Sequence, residues 1–252
     1  MHPLPALARR FAIDWLDRAD PTVPPTIMTS DYLVHIGGLE LVGLDAYAPA
    51  TLGQLQQFPG LQFTVHDLVH TGDRLAMHFT EQGASVRPDL RPAAWTGVAL
   101  FRWDGERLTE NWTQEDYAAR RRQLADGVPD PVGAPMAAPW TVSPAEPDPA
   151  AERVVHAWLA TAMPGADGVR WDDGSGAPDF SPTGLEVAEI FSAGAQVAFA
   201  ATQTGLAPAA GDEGRGPERL GLAGLVTVVD GEVTRGVVVS DRLGLVRSRT
   251  RR

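Results

Sequence analysis

The sequence contains neither cysteine nor lysine, and these two absences exclude several kinds of chemistry. Without cysteine the chain has no disulfide, no thiol nucleophile and no thiolate ligand for a metal. Without lysine it has no amine for a Schiff base and no phosphate-binding lysine of a P-loop. An enzyme made from these residues must work with Asp, Glu, His, Tyr or Arg side chains, or with a metal.

Long apolar runs and an excess of basic residues are also missing. No run approaches the roughly 20 residues that a membrane-spanning helix needs. The net charge is −11, and the basic clusters are limited to "RRR" at 120–122 and "RSRTRR" at the C-terminus, which favour a helix end and a solvated tail. Phosphate binding needs clustered positive charge, so we expect neither nucleic acid nor a membrane as a partner. The N-terminal segment is patterned as an amphipathic helix and not as a signal peptide, and we expect a cytoplasmic protein.

One pattern of strands occurs twice along the chain. A first hairpin is predicted at 61–82 and again at 185–203. A second strand pair follows each hairpin, with Asp-Gly turns at 104–105 and 230–231. The chain therefore reads as a tandem repeat of one antiparallel meander.

Helices precede each meander, and the two halves differ in how many. Amphipathic helices are predicted near 4–18 and near 149–162. The first half adds helices around 21–30 and at 44–57, where the second half has a loop-like segment. Helices followed by an antiparallel meander are typical of an α+β fold in which the helices cover one face of a curved sheet. We therefore expect a walled cavity in the first half and a shortened second copy.

A proline-rich segment separates the halves and predicts a linker. The predicted organisation is a pocket-bearing domain at 1–126, a linker at 127–148 and a shortened, structural domain at 149–252.

An ordered set of features in the first half, within 30–125, is typical of one known family. In chain order they are Gly43, Phe58-Pro59, Gly72-Asp73, Asp104-Gly105, Glu110, Trp112, Asp116 and Gln123-Leu124. With these features the sequence resembles the SnoaL-like polyketide cyclases, or ester cyclases, of the nuclear transport factor 2-like superfamily. The resemblance implies tandem cone-shaped α+β folds, each a curved antiparallel sheet with N-terminal helices, and an apolar pocket in the first.

The resemblance also implies a function for that pocket. The best-known members of the family close rings by cofactor-free intramolecular aldol condensation of polyketide-like carbonyl compounds. In them the carboxylate at the Asp116 position is the acid and base. Other superfamily members are isomerases, epoxide hydrolases, dehydratases, hydroxylases or binding proteins, so the fold alone does not give the function. Superfamily members commonly pair through the outer faces of their sheets. We therefore expect the second copy to form an intramolecular pseudo-dimer with the first.

Strand periodicity suggests which side chains face the pocket, because residues two apart in a strand share a face. Glu110, Trp112, Gln114 and Asp116 share one face, which we assign to the cavity because it carries the large aromatic ring. Desolvation beside Trp112 is expected to raise the pKa of Asp116 and make it a better base at neutral pH. Gln114 is the predicted hydrogen-bond donor to an enolate oxygen. Alternatively, Asp116 caps the helix predicted at 117–124 or pairs with an arginine.

The remaining candidates line or border the same predicted pocket. Met77, Phe79 and Glu81 share one face of the strand at 75–82, and a glutamate on an apolar face is unusual. The resemblance places His35 near the pocket rim as a second catalytic candidate. The other predicted substrate-binding residues, Tyr32, Trp112 and Arg102, have structural alternatives in core packing or carboxylate pairing.

The sequence leaves three alternatives: a metal site, a non-catalytic binding protein, and an epoxide hydrolase or dehydratase. His66 and His70 are four apart, but they lie on a predicted strand with no third ligand in register, so we expect no metal. The resemblance to cofactor-free cyclases implies no cofactor. The pocket could instead serve a non-catalytic binding protein. An epoxide hydrolase or dehydratase would use Glu81 and Asp116 on opposite sides of the substrate.

Overall fold

The chain folds into two mixed β-sheets, one in each half, with helices packed against each. The computed structural model describes residues 2–87, 89, 91–161, 167–206 and 217–250, without the side chains of Leu206 and Thr250. The strands of the first sheet are β1 (Met28–Ile36), β2 (Leu39–Val42), β3 (Gln62–His70), β4 (Arg74–Ala84), β5 (Pro92–Trp103) and β6 (Leu108–Glu115). Those of the second are β7 (Gly168–Trp171), β8 (Ser181–Ala193), β9 (Gln196–Leu206), β10 (Glu218–Val229) and β11 (Glu232–Ser240).

The helices lie before, between and after these strands. They are α1 (Pro3–Arg9), continued by a π-helical segment (Arg10–Asp17), α2 (Pro24–Ile27), α3 (Leu44–Gln57), α4 (Tyr117–Asp126), a 3-10 turn (Pro139–Thr141), α5 (Pro149–Leu159) and α6 (Arg242–Thr250). None of these helices is long and apolar enough to cross a bilayer.

The two sheets share one topology, which confirms the predicted α+β class and the shortened second copy. Their strand orders are β2-β1-β6-β5-β4-β3 and β7-β11-β10-β9-β8. Each contains one parallel pair, β1 with β6 and β7 with β11, and the other pairings in both sheets are antiparallel. Within the described residues, the second copy has no counterpart of β2 or of α3.

A local packing detail also occurs in both halves. Phe79 in β4 lies opposite Gly97 in β5, and a Cβ on that glycine would lie 2.4 Å from the phenylalanine ring. Phe199 in β9 lies opposite Gly224 in β10, with the corresponding distance 2.3 Å. In both sheets the ring covers a glycine of the neighbouring strand, and no other residue type leaves it that space.

One face of each sheet packs on helices. In the first half, Trp15, Tyr47 and Phe58 bring the N-terminal helices and α3 into a core with the sheet. In the second half, Val155 and Leu159 of α5 pack with the sheet and are fully buried. Burial of side chains of this size stabilises a fold by about 1.5–3 kcal/mol each.

The other faces of the two sheets pack against each other. Leu100 and Trp112 of the first sheet share an apolar cluster with Phe191, Ala223 and Val239 of the second. The first sheet is therefore covered on both sides, by helices on one and by the second sheet on the other.

The proline-rich segment between the halves runs along β3. Met136 N–H donates to Val65 O at 2.8 Å, and Ala145 N–H donates to His70 O at 3.0 Å. The segment thus uses backbone groups of an edge strand that would otherwise remain unpaired.

The structure corrects several predicted elements. The helix predicted at 21–30 is only α2, because β1 begins at Met28. The short strands β2 and β7 were not predicted, and the C-terminal basic segment predicted as a tail forms α6 up to Thr250. The helix predicted at 44–57 is confirmed, whereas α5 ends at Leu159 and residue 162 of its predicted span lies outside the described residues.

Candidate functional site

A cavity of about 240 Å³ lies between the first sheet and its helices. Most of its lining is apolar and comes from the π-helical segment, β1, β3 and β4. These apolar residues include Phe11, Leu16, Val34, Ile36, Phe63 and Phe79. Its polar lining comes from α3, β6, the start of α4 and Glu81 of β4.

Two buried glutamates, Glu81 of β4 and Glu115 of β6, supply the acidic groups of the cavity. Their side chains are 2% and 7% exposed. Trp95 of β5 lies opposite Glu81, and its indole N–H donates to Glu115 Oε2 at 2.8 Å. Gln54 of α3 donates to Glu81 Oε2 at 2.7 Å. Both carboxyls are therefore held in fixed positions by neighbours on the cavity wall.

The glutamates differ in how strongly they favour the protonated form. Burial raises the pKa of Glu81 well above its usual range, and the negative charge of Glu115 raises it further. Burial also raises the pKa of Glu115, but the Arg120 guanidinium and the Trp95 N–H oppose the rise. Two negative charges in one buried site repel each other, so the pair favours a state with one proton between the two carboxyls. Glu81 is the carboxyl that more strongly retains this proton.

Arg120 supplies the positive charge that acts on both glutamates. Its guanidinium carbon lies 4.2 Å from the centre of the Tyr117 ring and 5.0 Å from that of Trp95. It donates a hydrogen bond to Gln54 Oε1 at 3.2 Å, and Gln54 in turn donates to Glu81. The aromatic rings thus place a positive charge behind the carboxyls without a close ion pair that would fix both as carboxylates.

The predicted face of β6 is wrong. Asn111, Thr113 and Glu115 line the cavity, and the alternate residues Trp112 and Gln114 point away from it. We assigned Trp112 to the cavity because it is the largest apolar residue of the strand. It packs instead against the second sheet, where it is 7% exposed.

Asp116 lies outside the cavity, fully buried at the start of α4. Its Oδ1 accepts from Ala119 N–H at 2.9 Å, and its Oδ2 accepts from Asp173 N–H at 3.0 Å. Arg242 Nη2 lies 2.7 Å from the same Oδ2. Burial raises the pKa of Asp116. However, both carboxylate oxygens are engaged in a helix cap and an ion pair, which were the structural alternatives for this residue.

The repeated aspartate of the second half has the same capping role. Asp241 precedes α6, and its Oδ1 accepts from Gly244 N–H at 2.8 Å. An aspartate that accepts from the third residue of the following helix is a favoured N-cap. The repeat of this residue in the sequence is therefore explained by the helix that follows the last strand of each copy.

Three other predicted residues border the second half. The His35 ring stacks on Trp112 with a centroid distance of 5.3 Å. The Arg102 guanidinium carbon lies 4.8 Å from the centre of the Trp112 ring, and the guanidinium pairs with Glu189 of the second sheet. Gln114 abuts β10, where a Cβ on Gly221 would lie 2.7 Å from its amide nitrogen.

The remaining predicted residues lie on the cavity side of the sheet. Phe79 and Glu81 line the cavity. Met77 and Tyr32 lie in the core beside it, with the Tyr32 ring 5.3 Å from that of Tyr47. Glu81 and Asp116 are on opposite sides of the sheet, so they cannot flank one substrate as the epoxide hydrolase alternative requires.

Three residues of the site, Glu115, Arg120 and Tyr117, were not predicted from the sequence. Glu115 was placed on the outer face together with its alternating neighbours. Its acidic character was visible, but its partnership with Glu81 depends on strand register across β5. Within the described part of the chain, no group of three or more His, Asp or Glu side chains is arranged so that it could hold a metal ion.

Comparison with known proteins identifies the first half. In the first half, helices close a mainly apolar cavity against the mixed sheet, and cavities of this kind are common places for small molecules to bind in proteins. Residues 6–124 match the sequence profile of the SnoaL-like polyketide cyclases, and this part of the chain belongs to that family. No curated protein matches the chain.

Solved structures similar to this chain cover about half of it. AclR from Streptomyces galilaeus is 20% identical with a TM-score of 0.45, covering 50% of this chain and 98% of its own. IdmH from Streptomyces antibioticus is 20% identical with a TM-score of 0.43, covering 48% and 98%. TsrD from Streptomyces laurentii is 20% identical with a TM-score of 0.44, covering 48% and 93%. These similarities carry no functional argument.

Proposed function

We propose that the chain is a cofactor-independent acid/base enzyme that acts on a small, apolar, polyketide-like carbonyl compound. The observation that carries the proposal is the pair of buried carboxyls, Glu81 and Glu115, in the wall of a mainly apolar cavity. Two carboxyls whose surroundings separate their pKa values can act as acid and base in one reaction.

The surroundings assign the two roles. Glu115 is the base, because its pKa is raised less far than that of Glu81; the Arg120 charge and the Trp95 N–H lower the pKa of both carboxyls. Glu81 is the acid, because burial and the charge of Glu115 favour its protonated form. Tyr117 supplies a donor, since burial and Glu115 raise the pKa of its hydroxyl well above the usual value and keep its proton in place.

An intramolecular aldol cyclisation uses these groups in sequence. Glu115 removes a proton from a carbon beside a carbonyl, and the electron pair moves onto the carbonyl oxygen to give an enolate. Tyr117 donates a hydrogen bond to that oxygen. The enolate carbon then bonds to a second carbonyl carbon of the same molecule, and the alkoxide formed takes the proton of Glu81. Transfer of the proton from Glu115 to Glu81 restores the starting state.

The proton-removal step can be tested without the natural substrate. The probe is 2-tetralone, a small apolar ketone, whose exchange of C1 protons for deuterium is followed by NMR in D₂O. We expect the full chain to accelerate exchange and Glu115→Gln to slow it by about 10²–10⁴-fold, the usual contribution of a general base. Quenching of tryptophan fluorescence by the ketone reports whether the variant still binds.

Two control variants separate this proposal from its competitors. Glu110→Gln changes a carboxylate on the outer face of the same strand and is expected to leave exchange unchanged. Asp116→Asn is likewise expected to retain exchange. Loss of exchange in Asp116→Asn with retention in Glu115→Gln would return the base to Asp116. Tight binding with no acceleration by the wild-type chain would indicate a small-molecule binding protein.

A further inference from the structure

A second space of about 760 Å³ separates the outer faces of the two sheets where they diverge. The first half contributes His35, Glu40 and Gln114 to its walls, and the second half contributes Thr202 and Arg219. We call this space the intersheet cleft. It is distinct from the cavity because it lies on the opposite face of β6.

The intersheet cleft adjoins the cavity at the end of β1. Ile36, Leu39 and Thr113 line both spaces. Ile36 pairs with Thr113 and ends β1, whereas β6 continues to Glu115. Among the residues that the structure describes, no strand of the first sheet pairs with β6 on that side beyond Ile36, and the shared lining residues place the cleft next to the cavity there.

The turn between β1 and β2 separates the two spaces. Gly37 and Gly38 in this turn have φ values of 55° and 74°. Leu39, which follows this turn, is 65% exposed. A large apolar side chain in contact with both spaces suits the passage of an apolar group into the cavity.

The charges of the intersheet cleft disfavour an anionic ligand. Glu40, Glu186 and Asp241 lie in its walls, and Arg219 is paired with Glu186 at 3.2 Å. Negative charge around the cleft repels phosphates, sulfates and carboxylates. The amide of Gln114 supplies a neutral donor and acceptor, which suits hydroxyl groups.

The floor of the cleft is made of small residues from the second sheet. Ala188, Ala200 and Gly221 lie there, and Ala188 is a bulged residue of β8 with an exposed side chain. Larger side chains at these positions would fill the space. The second copy thus forms a wall of an open, polar groove next to the cavity of the first.

We propose that the intersheet cleft binds a neutral, hydroxyl-rich, sugar-like extension of the same molecule whose apolar carbonyl part occupies the cavity. The proposal rests on the cavity being the substrate site, as in the proposed function. It gives the second copy a direct part in substrate selection, through residues on its outer sheet face.

A matched set of fluorescent probes tests the proposal by binding to the full chain. The probes are 4-methylumbelliferone, its β-D-glucoside and its sulfate, which share one apolar ring system. We expect the glucoside to bind at least about tenfold tighter than the parent, equivalent to about 1.4 kcal/mol, and the sulfate to bind more weakly than either. Equal affinity of glucoside and parent, or tightest binding of the sulfate, would overturn the proposal.

Two variants locate the extension. Ala188→Trp fills the cleft and is expected to reduce glucoside affinity to that of the parent, without changing parent binding; Ala188→Ser is its matched control. Ala50→Trp, at an exposed position on the cavity rim, is expected to weaken all probes. If Ala188→Trp leaves the glucoside advantage intact, the cleft is not its site. Loss of deuterium exchange in Glu115→Gln is independent of these outcomes, so the two proposals fail separately.

Discussion

Replacement of Arg242 by methionine should destabilise both halves of the protein. Arg242 belongs to the second half, and its guanidinium lies among three carboxylates. Nη2 is 2.7 Å from Asp116 Oδ2 and 3.1 Å from Asp173 Oδ1, and Nε is 3.1 Å from Asp172 Oδ2. The Asp116 and Asp172 side chains are fully buried, and that of Arg242 is 18% exposed. Methionine keeps much of the length of the side chain and removes its charge.

The expected cost follows from what remains after the substitution. Removal of one partner of a buried ion pair typically costs about 3–5 kcal/mol, because the other charge is left uncompensated. Here three carboxylates would be left facing one another. With an unfolding slope of about 3 kcal/mol per molar urea, this corresponds to a fall of roughly 1–2 M in the unfolding midpoint.

The loss should depend on pH. Burial raises the pKa of Asp172 from 3.8 to about 7 although Arg242 is present. A carboxyl with a raised folded-state pKa contributes most stability below its unfolded pKa and loses that contribution as pH rises through the folded value. Without Arg242 the folded pKa rises further, so the loss extends to higher pH. The difference between wild type and Arg242→Met should therefore be larger at pH 8 than at pH 5.

Urea unfolding at both pH values, followed by tryptophan fluorescence and circular dichroism, measures this difference. Arg219→Met is the matched control, since Arg219 pairs with Glu186 at 3.2 Å while the two side chains are 64% and 72% exposed. An exposed pair contributes about 0–1 kcal/mol. If Arg242→Met costs no more than Arg219→Met, or costs more at pH 5 than at pH 8, the charge argument is refuted.

Three further outcomes follow from the same contacts. Gly97→Ala should destabilise the chain by about 1–3 kcal/mol in thermal unfolding, because its Cβ would lie 2.4 Å from the Phe79 ring. Trp95→Phe removes the N–H that lowers the pKa of Glu115, so the pH profile of 2-tetralone exchange should move to higher pH. Gel filtration should give a mass near 26.9 kDa, the mass of one chain, if the second copy already serves as the intramolecular partner of the first.

Each of these has a clear contrary result. A neutral Gly97→Ala would mean that the Phe79 ring moves aside without cost. An unmoved pH profile in Trp95→Phe would remove Glu115 from the rate-determining proton transfer. A mass of two chains would weaken the pseudo-dimer, which stays a prediction, without affecting the cavity.

The sequence allowed the repeat to be predicted because its signals are local. Asp-Gly turns between alternating strands define the hairpins, and the helix at 44–57 has both a clear start at Gly43 and a clear end at Phe58. The strands β2 and β7 have four residues each. Strands so short show no periodicity of their own and form because a neighbouring strand pairs with them.

The face of β6 could not be predicted from that strand alone. Alternation distinguishes two faces, but both faces of this strand are buried, one in the cavity wall and one against the second sheet. The prediction that Trp112 is buried was therefore correct, and the prediction that it faces the cavity was wrong. Only the register that brings Glu81 and Glu115 to Trp95 distinguishes the two faces, and register is a property of paired strands.

The C-terminal helix was hidden by its composition. Arginines dominate the segment from Arg242 onward, which is typical of a solvated tail. The helix is stabilised by specific contacts, among them Arg249 Nη2 with Glu218 Oε2 at 2.7 Å, and by Leu245, which is 3% exposed. Such long-range pairs leave no pattern in the segment itself.

The contact between the two outer sheet faces has a consequence for behaviour at low abundance. Because both faces belong to one polypeptide, their effective concentration is set by the connecting segment and does not fall on dilution. A substrate groove with one wall from each copy is thus equally complete at nanomolar and at micromolar protein. Each wall can also change by mutation independently of the other, which two identical subunits cannot do.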